Sequence, residues 1–125
     1  MGDFRRLSVW RSAHAFALEI HRFTNSFPTS ERYGLAAQMR RAAVSVISNI
    51  AEGCGRQSDR ELVYFLRIAR GSVREVESQL FLSKDLGYVT PEDWAPLDAT
   101  AQEISKMLSG FLSTVRSTRQ PEAPA

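Results

Sequence analysis

Residues 35–53 read LAAQMRRAAVSVISNIAEG and carry two different faces when they are wound into an α-helix. One face is apolar at spacings of three and four, which is typical of a helix docked in a core: Leu35, Met39, Ala42, Val46 and Ile50. The opposite face carries a polar stripe, formed by Gln38, Arg41, Ser45, Asn49 and Glu52. The polar stripe contains no lysine and mixes amide, guanidinium, hydroxyl and carboxylate groups. We therefore expect it to pair with another helix or with another subunit.

Three more amphipathic segments surround this helix. The first runs from about residue 8 to 26 and stops before Pro28, because the residue before a proline disfavours the α region. The helix of the polar stripe should begin near residues 30–33. It should end at Gly53-Cys54-Gly55, where we expect left-handed or irregular backbone.

Local capping signals mark the last two helices. Ser58 and Glu61 form a capping box, and the helix that follows should end at Gly87. Thr90 and Pro91 are typical of the cap and the first position of a fourth helix. The apolar repeat of the third helix is Leu62, Leu66, Ala69, Val73, Val76 and Leu80, and that of the fourth extends from Trp94 to Val115.

These segments predict an all-α protein, because none of them alternates apolar and polar residues as a strand does. Four helices joined by short loops predict an antiparallel up-down-up-down four-helix bundle. We expect residues 1–117 to form this single domain. Residues 118–125 hold two prolines without periodicity and should form a disordered tail.

Composition restricts the class of protein. Hydrophobic residues make up 43% and charged residues 24% of the 125, the balance of a soluble globular domain. Cys54 is the only cysteine, which excludes an intrachain disulfide and a cysteine metal cluster. No apolar run is long enough for a membrane span or a signal peptide, so we expect a cytoplasmic protein without a membrane partner.

The third helix carries more apolar residues than one buried face can use. Tyr64, Ile68, Leu82 and Leu86 lie on its flank and define an apolar strip, with Gly71 and Ser72 in mid-helix permitting the close approach of another helix. The strip with Gly71 and Ser72 therefore predicts the interface of a homo-oligomer. The alternative is that this wide helix simply sits deeper in its own bundle.

Arginines cluster on the same helix. Arg60, Arg67 and Arg74 are spaced by seven and define an arginine ridge, with Arg70 beside it. Residues 1–74 have a net charge of +6 and residues 75–125 of −4, and 14 of the 16 basic residues are arginine. Arginine favours bidentate contacts with phosphate or carboxylate. We therefore predict these four residues and Arg41 as nucleic-acid contacts. The alternative is neutralisation by Glu75, Glu77 or the acids of another subunit.

No pattern indicates catalysis. His14 and His21 lack Cys or acidic residues at metal-ligand spacing, and the zinc, di-iron, phosphate-loop and serine-hydrolase motifs are absent. The sequence predicts no catalytic residue, no metal and no cofactor, and hence a protein that is not an enzyme.

The motifs together resemble a known family. They are Gln38-x-x-Arg41-x-x-x-Ser45-x-x-x-Asn49-Ile50-Ala51-Glu52-Gly53 and Ala69-Arg70-Gly71-Ser72-x-x-Glu75, with Phe4-x-x-Leu7-x-Val9-Trp10 and Phe27-Pro28-x-x-Glu31-x-x-Gly34-Leu35 before them. Over residues 4–116 the chain resembles the bacterial four-helix-bundle proteins called 23S ribosomal RNA intervening-sequence proteins.

The resemblance implies a homopentameric ring with a central channel. It also implies kinship with the accessory variability determinant of diversity-generating retroelements, a basic pentameric bundle that partners a reverse transcriptase and nucleic acid. We therefore expect a non-enzymatic oligomer that binds RNA or DNA, with a reverse transcriptase or another protein as a further partner. The alternative is a protein-binding scaffold that uses its arginines in salt bridges between subunits and never contacts nucleic acid.

Overall fold

Four α-helices make up most of the computed structural model, which describes the backbone of residues 2–119 and the side chains of residues 2–115. They are α1 (Ser8–Thr24), α2 (Leu35–Cys54), α3 (Asp59–Asp85) and α4 (Pro91–Arg119). Short 3-10 helices span Phe4–Arg6 and Thr29–Glu31. The prediction of an all-α chain is confirmed, since the described residues contain no strand.

The helices pack in sequence order. Each contacts its neighbours along the chain, and α1 also contacts α4, which closes a four-membered bundle. Met39 of α2 lies against Ser83 of α3 while Ser45 lies against Ser72, so this pair is antiparallel. The prediction of four helices packed as a bundle is therefore confirmed, with contacts between helices that follow each other in the chain. In the described part of the chain, no helix combines the length and the apolar character that crossing a membrane requires.

The core consists of the predicted apolar faces. Every member of the α3 repeat is buried, and Met39, Val46 and Ile50 of α2 have no exposed surface. Phe16 and Ile20 of α1 and Ile104 and Leu108 of α4 complete the centre of the bundle. Burial of such side chains contributes about 1.5–3 kcal/mol each, which is why the period of the apolar residues decides which face turns inward.

The predicted N-cap residues Ser58 and Thr90 are confirmed, whereas the hydrogen bonds of the described residues include only the Ser58 half of the predicted capping box. Ser58 Oγ accepts a hydrogen bond from the Glu61 amide at 3.1 Å, and Thr90 Oγ1 accepts one from the Asp93 amide at 3.1 Å. After α3, Gly87 adopts φ 79°, a left-handed conformation that glycine reaches at no steric cost. These ends are set by residues within four positions of each other.

The start of α2 differs from the prediction. The helix begins at Leu35 rather than near residues 30–33, because residues 29–31 form a separate 3-10 turn and Gly34 has non-helical dihedrals of −107° and −114°. Glu31 Oε1 accepts the Leu35 amide at 3.0 Å, and Glu31 Oε2 accepts the Tyr88 hydroxyl at 2.8 Å. The α3–α4 loop therefore helps to fix where α2 begins.

The end of α2 also differs from the prediction. Gly55 caps the helix with φ −85° and ψ −5°, so the expected left-handed or irregular backbone is wrong here. Gly53 instead serves packing, because an added Cβ would lie 3.1 Å from Leu62 Cδ1 and 3.1 Å from Phe65 Cβ. At the other end of the chain, α4 continues through Arg119, past the predicted start of the tail at residue 118. Residues 120–125 of that tail lie outside the described residues.

We expect Gly53→Val to destabilise the protein by about 1–3 kcal/mol, because the added methyl groups overpack the contact between α2 and α3. Urea unfolding at fixed protein concentration measures this. Gly110→Ala is the matched control, since an added Cβ there has no neighbour within 4 Å. The control should gain about 0.5–1 kcal/mol from helix propensity. Equal stability of Gly53→Val and the wild type would contradict the packing role.

Glu31 should stabilise the fold near neutral pH and lose this contribution in acid. The backbone hydrogen bond from Leu35, followed by that from Tyr88, lowers the pKa of Glu31. A carboxyl whose pKa falls on folding stabilises the fold above its ordinary pKa of about 4.3, and this contribution disappears as the pH falls through the lowered value. The same bond to Glu31 raises the pKa of Tyr88, so its contribution is present below about pH 10 and is lost as the pH rises through the raised value.

Melting temperatures of the wild type and Glu31→Gln between about pH 2 and 6 test this linkage. We expect the variant to lose less stability than the wild type as the pH falls through the acid range. The exposed Glu19 provides the control Glu19→Gln, which should retain the wild-type dependence. Parallel curves for wild type and Glu31→Gln would rule out the proposed contribution.

Candidate functional site

The outer face of α3 presents two neighbouring rows of side chains. At about 100° per residue, the arginine ridge occupies one row and the apolar strip occupies the next, on the side toward α2. Both rows lie opposite the buried repeat of Leu62 to Leu80. One helix thus offers a charged surface and an apolar surface side by side.

Members of the arginine ridge differ in their partners. Arg60 and Arg67 are exposed, and neither forms an ion pair within the described part of the chain. Arg74 Nη1 lies 3.3 Å from Glu77 Oε1, but the Arg74 side chain remains 71% exposed. An ion pair this open to water is worth little and leaves most of the field of the ridge unneutralised.

The other two predicted nucleic-acid residues lie away from the ridge. Arg70 is half-buried and donates from Nη1 to Ser109 Oγ of α4 at 3.2 Å. It therefore turns toward α4, whereas the three ridge arginines face solvent. Arg41 is exposed on α2 rather than on α3, and no acidic residue in the described chain pairs with it.

The apolar strip is open to solvent in the single chain. Its side chains have exposed fractions of 60%, 37%, 48% and 49% for Tyr64, Ile68, Leu82 and Leu86. Gly71 is exposed beside them, and an added Cβ there would meet nothing within 4 Å. Tyr64 and Ile68 lie in the first half of α3, whereas Leu82 lies near its end and Leu86 at its C-cap, so the strip consists of two exposed apolar pairs. Exposed apolar pairs on one side of a helix are typical of a protein contact surface.

Ser72 faces a different direction from its neighbour Gly71. It is buried, and its Oγ lies 2.8 Å from Ser45 Oγ of α2. Ser72 thus joins α2 and α3 of the same chain, and its predicted place in an interface between subunits stays a prediction. Small hydroxyl side chains satisfy each other here and let α2 and α3 pack closely.

The polar stripe of α2 divides into two parts. Asn49 Nδ2 donates to Ser45 Oγ at 3.0 Å and to the Ser45 carbonyl at 2.8 Å, which extends the bond to Ser72 into a half-buried network. Glu52 pairs with Arg56 one turn later, at 2.6 Å. Gln38 and Arg41 remain exposed. The middle of the stripe therefore connects helices, whereas its ends face solvent.

Comparison with known protein families identifies the family of this chain. The family described as "23S rRNA-intervening sequence protein" matches residues 5–110, which is most of the 125 residues. The chain belongs to this family. The resemblance predicted from the sequence motifs is thus confirmed, and the matched range contains the arginine ridge, the apolar strip and the polar stripe.

A solved structure has the same fold as this 23S rRNA-intervening sequence family member. It is a protein of unknown function from the S23 ribosomal protein family of Bacteroides thetaiotaomicron VPI-5482. The two chains share 25% sequence identity and superpose with a TM-score of 0.76, over 83% of this chain and 97% of the other. No curated protein matches the sequence.

The described residues of this 23S rRNA-intervening sequence family member contain no group of three or more His, Cys, Asp or Glu side chains that could hold a metal. Burial raises the pKa of the Cys54 thiol, which opposes formation of a reactive thiolate. His14 stacks on Trp10 with ring centroids 4.8 Å apart, and His21 Nδ1 lies 3.1 Å from the Ala17 carbonyl. The expectation that the protein is not an enzyme stays a prediction.

A groove between α3 and α4 was not identified from the sequence. It has a volume of about 670 Å³ and lies between Phe81, Trp94 and the acidic residues Glu77 and Asp98. Lys84 Nζ lies 4.4 Å from the ring centre of Phe81 and 4.5 Å from that of Trp94. Glu77 Oε2 and Trp94 Nε1 are buried without a hydrogen-bond partner in the structure. The signal in the sequence was the acidic excess after residue 74, which does not specify a groove.

Proposed function

We propose that this protein is a non-enzymatic homo-oligomer, a ring of five subunits, that binds RNA or DNA through its exposed arginines. The arginine ridge is the principal contact, and Arg41 adds a second cation on α2. A reverse transcriptase or another protein is a further partner, as the relatives of the family imply. The observation that carries the proposal is the exposed, unpaired state of Arg60 and Arg67 beside an open apolar strip.

Unpaired arginines support the nucleic-acid part. Phosphates bound by arginine release condensed counterions, so a row of exposed guanidinium groups gains affinity without reading a sequence. One ridge offers only three such groups, which is a weak site. Five copies arranged around a ring would sum their fields and hold one nucleic-acid strand at several points.

The apolar strip supports the oligomer. Partial burial of four large side chains contributes on the order of 1–2 kcal/mol each, enough to favour assembly when repeated at every interface. A ring with an odd number of subunits requires a heterologous contact, in which the strip meets a different surface of the next subunit. Leu18 on α1 and Val44 on α2 are other exposed apolar side chains of the described chain, at 45% and 41%.

The second candidate function is a protein-binding scaffold without nucleic-acid contact. Its supporting observation is the charge asymmetry, net +6 in residues 1–74 and −4 in residues 75–125. The acidic groove between α3 and α4 could accept arginines from a neighbouring subunit, as Glu77 already accepts Arg74. In that arrangement the arginine ridge is buried between subunits and cannot contact nucleic acid.

Two measurements on the wild-type protein test the proposed function. Light scattering should give about 70 kDa, which is five copies of the 14.0 kDa chain. Fluorescence anisotropy with single- and double-stranded RNA and DNA should give an affinity that falls steeply with salt, at a slope of about 0.9 per phosphate contact for a duplex. A monomer at micromolar concentration would overturn the ring. Absence of binding at low salt would rule out the nucleic-acid function and favour the protein-binding scaffold.

A further inference from the structure

A small polar pocket lies where α1 ends and α2 begins, beside the 3-10 helix Thr29–Glu31. Its volume is about 190 Å³, well above the ~10–15 Å³ that a single water needs. Thr24, Asn25, Thr29, Arg32 and Arg40 line it. None of these residues was predicted from the sequence to belong to a site, and none belongs to the arginine ridge or the polar stripe.

Arg40 is held in one orientation at this pocket. Its Nε donates to Thr24 Oγ1 at 2.7 Å, and its Nη2 donates to Asn25 Oδ1 at 2.8 Å and to the His21 carbonyl at 3.3 Å. Thr24 is itself fixed, because its buried hydroxyl donates to the Ile20 carbonyl at 2.7 Å. A guanidinium has five N–H donors, so these bonds leave both hydrogens of Nη1 for another acceptor.

Further donors line the same pocket. Asn25 accepts from Arg40 through Oδ1, which leaves its Nδ2 hydrogens available. Thr29 contributes a hydroxyl, and Arg32 contributes a second guanidinium on an exposed side chain. The pocket therefore gathers hydrogen-bond donors and two positive charges on adjoining segments of chain.

Negative groups do not balance these charges. No Asp or Glu is among the described residues that line the pocket. The nearby carboxylate of Glu31 already accepts from Leu35 and Tyr88. The last carbonyls of α1 also have donors, since Asn25, Ser26 and Phe27 each donate a backbone N–H to them. The positive charges of Arg32 and Arg40 are therefore not neutralised by any acidic residue that lines the pocket.

We propose that the Arg40 pocket binds a phosphate group, held by Arg40 Nη1, the Arg32 guanidinium, Asn25 Nδ2 and the Thr29 hydroxyl. Arginine forks match the oxygens of a phosphate bidentately, and preorientation of Arg40 removes part of the entropy that binding would otherwise cost. The site lies apart from the arginine ridge. This proposal does not depend on the proposed function. The pocket could bind a free phosphate as well as a nucleic-acid phosphate, because both present the same oxygens.

Calorimetry of the full chain with inorganic phosphate at constant ionic strength tests the site. We expect saturable binding of one phosphate per chain, which Arg32→Ala weakens by about tenfold or more because a charge-assisted hydrogen bond is lost. Arg32 is exposed, so this variant should fold. Arg22→Ala is the matched control, since Arg22 is exposed on α1 and does not line the pocket. It should bind phosphate like the wild type.

A second arm identifies the source of the phosphate. Binding of an RNA oligonucleotide with and without a 5′-phosphate is compared in the wild type and Arg32→Ala. Weaker binding of only the phosphorylated RNA assigns a terminal phosphate, weaker binding of both assigns internal phosphates, and no change in either assigns free phosphate. The site is overturned if inorganic phosphate shows no saturable binding, or if Arg32→Ala and Arg22→Ala weaken it equally. A ridge variant should keep its phosphate site, which separates this test from that of the proposed function.

Discussion

Replacing Arg60, Arg67 and Arg74 together with glutamine should remove most of the nucleic-acid affinity that we propose for this protein. Each lost phosphate contact reduces the steepness of log affinity against log salt by about 0.9, so loss of the three contacts of one ridge reduces it by about 2.7. At 0.1 M salt, one engaged ridge corresponds to roughly 500-fold weaker binding if the affinity at 1 M is unchanged, and each further ridge that contacts the strand increases the loss. Anisotropy titrations across a salt series measure both quantities.

Lysine at the same three positions is the control for charge. It keeps the positive charge and loses only the bidentate geometry, so the salt slope should persist. All three arginines are exposed and lie outside the core, so neither variant should change the helical circular-dichroism spectrum. An unchanged salt slope in the glutamine variant would contradict the role of the ridge. A changed mass with no change in binding would favour the scaffold.

The second large effect is expected at the apolar strip. Ile68→Asp combined with Leu82→Asp should convert the proposed oligomer into monomers of 14.0 kDa. These side chains are 37% and 48% exposed in the protomer, so the charges remain solvated in a monomer but would be buried at an interface. Desolvating an unpaired carboxylate costs several kcal/mol, more than the roughly 1–2 kcal/mol that burial of each replaced apolar side chain contributes. Light scattering at micromolar concentration measures the mass.

Leu18→Asp provides the matched control for the strip. Leu18 is 45% exposed on α1, so the substitution adds the same charge at similar exposure on another helix. If the strip is the interface and α1 is not its counterpart, Leu18→Asp should leave the mass unchanged. A monomer from Leu18→Asp instead would identify α1 as the surface that the strip meets. An unchanged mass in the double variant would exclude the strip from the assembly.

The two variants together distinguish the candidate functions. If the protein binds nucleic acid, the strip variant should also bind it more weakly, because a monomer offers one ridge instead of several. In the scaffold reading, the ridge variant disturbs assembly because its arginines pair with acids of the neighbouring subunit. If the ridge binds nucleic acid, the ridge variant should lose affinity while its mass stays unchanged. If the ridge is covered by a neighbouring subunit, the ridge variant should change the mass.

The sequence predicted the parts of the fold that local chemistry decides. The caps at Ser58 and Thr90 and the glycine after α3 involve atoms within a few residues of each other, so their spacing is readable in the chain. The apolar repeats likewise predicted which faces are buried. The same logic failed at the start of α2, since Glu31 depends on Tyr88, a residue 57 positions away.

Site predictions were less complete for the same reason. Arg60 and Arg67 could be placed on an outer row because helical period alone decides exposure opposite a core. Arg70 and Ser72 lie at the edges of that helix, where the neighbouring helix determines the contact, so one turned to Ser109 and the other to Ser45. The Arg40 pocket joins α1, the 3-10 turn and α2, and no spacing rule brings its residues together.

For this protein, the sequence by itself determined the family, the four helices and the faces they bury. These follow from repeats and caps that act over one or two turns. Only the tertiary structure decided how the boundary residues divide their hydrogen bonds: Ser45 with Ser72, Glu31 with Tyr88, and Arg40 with the end of α1. The physical reason is that a polar group at a helix edge takes the nearest partner in space, and packing of the other helices sets which partner that is.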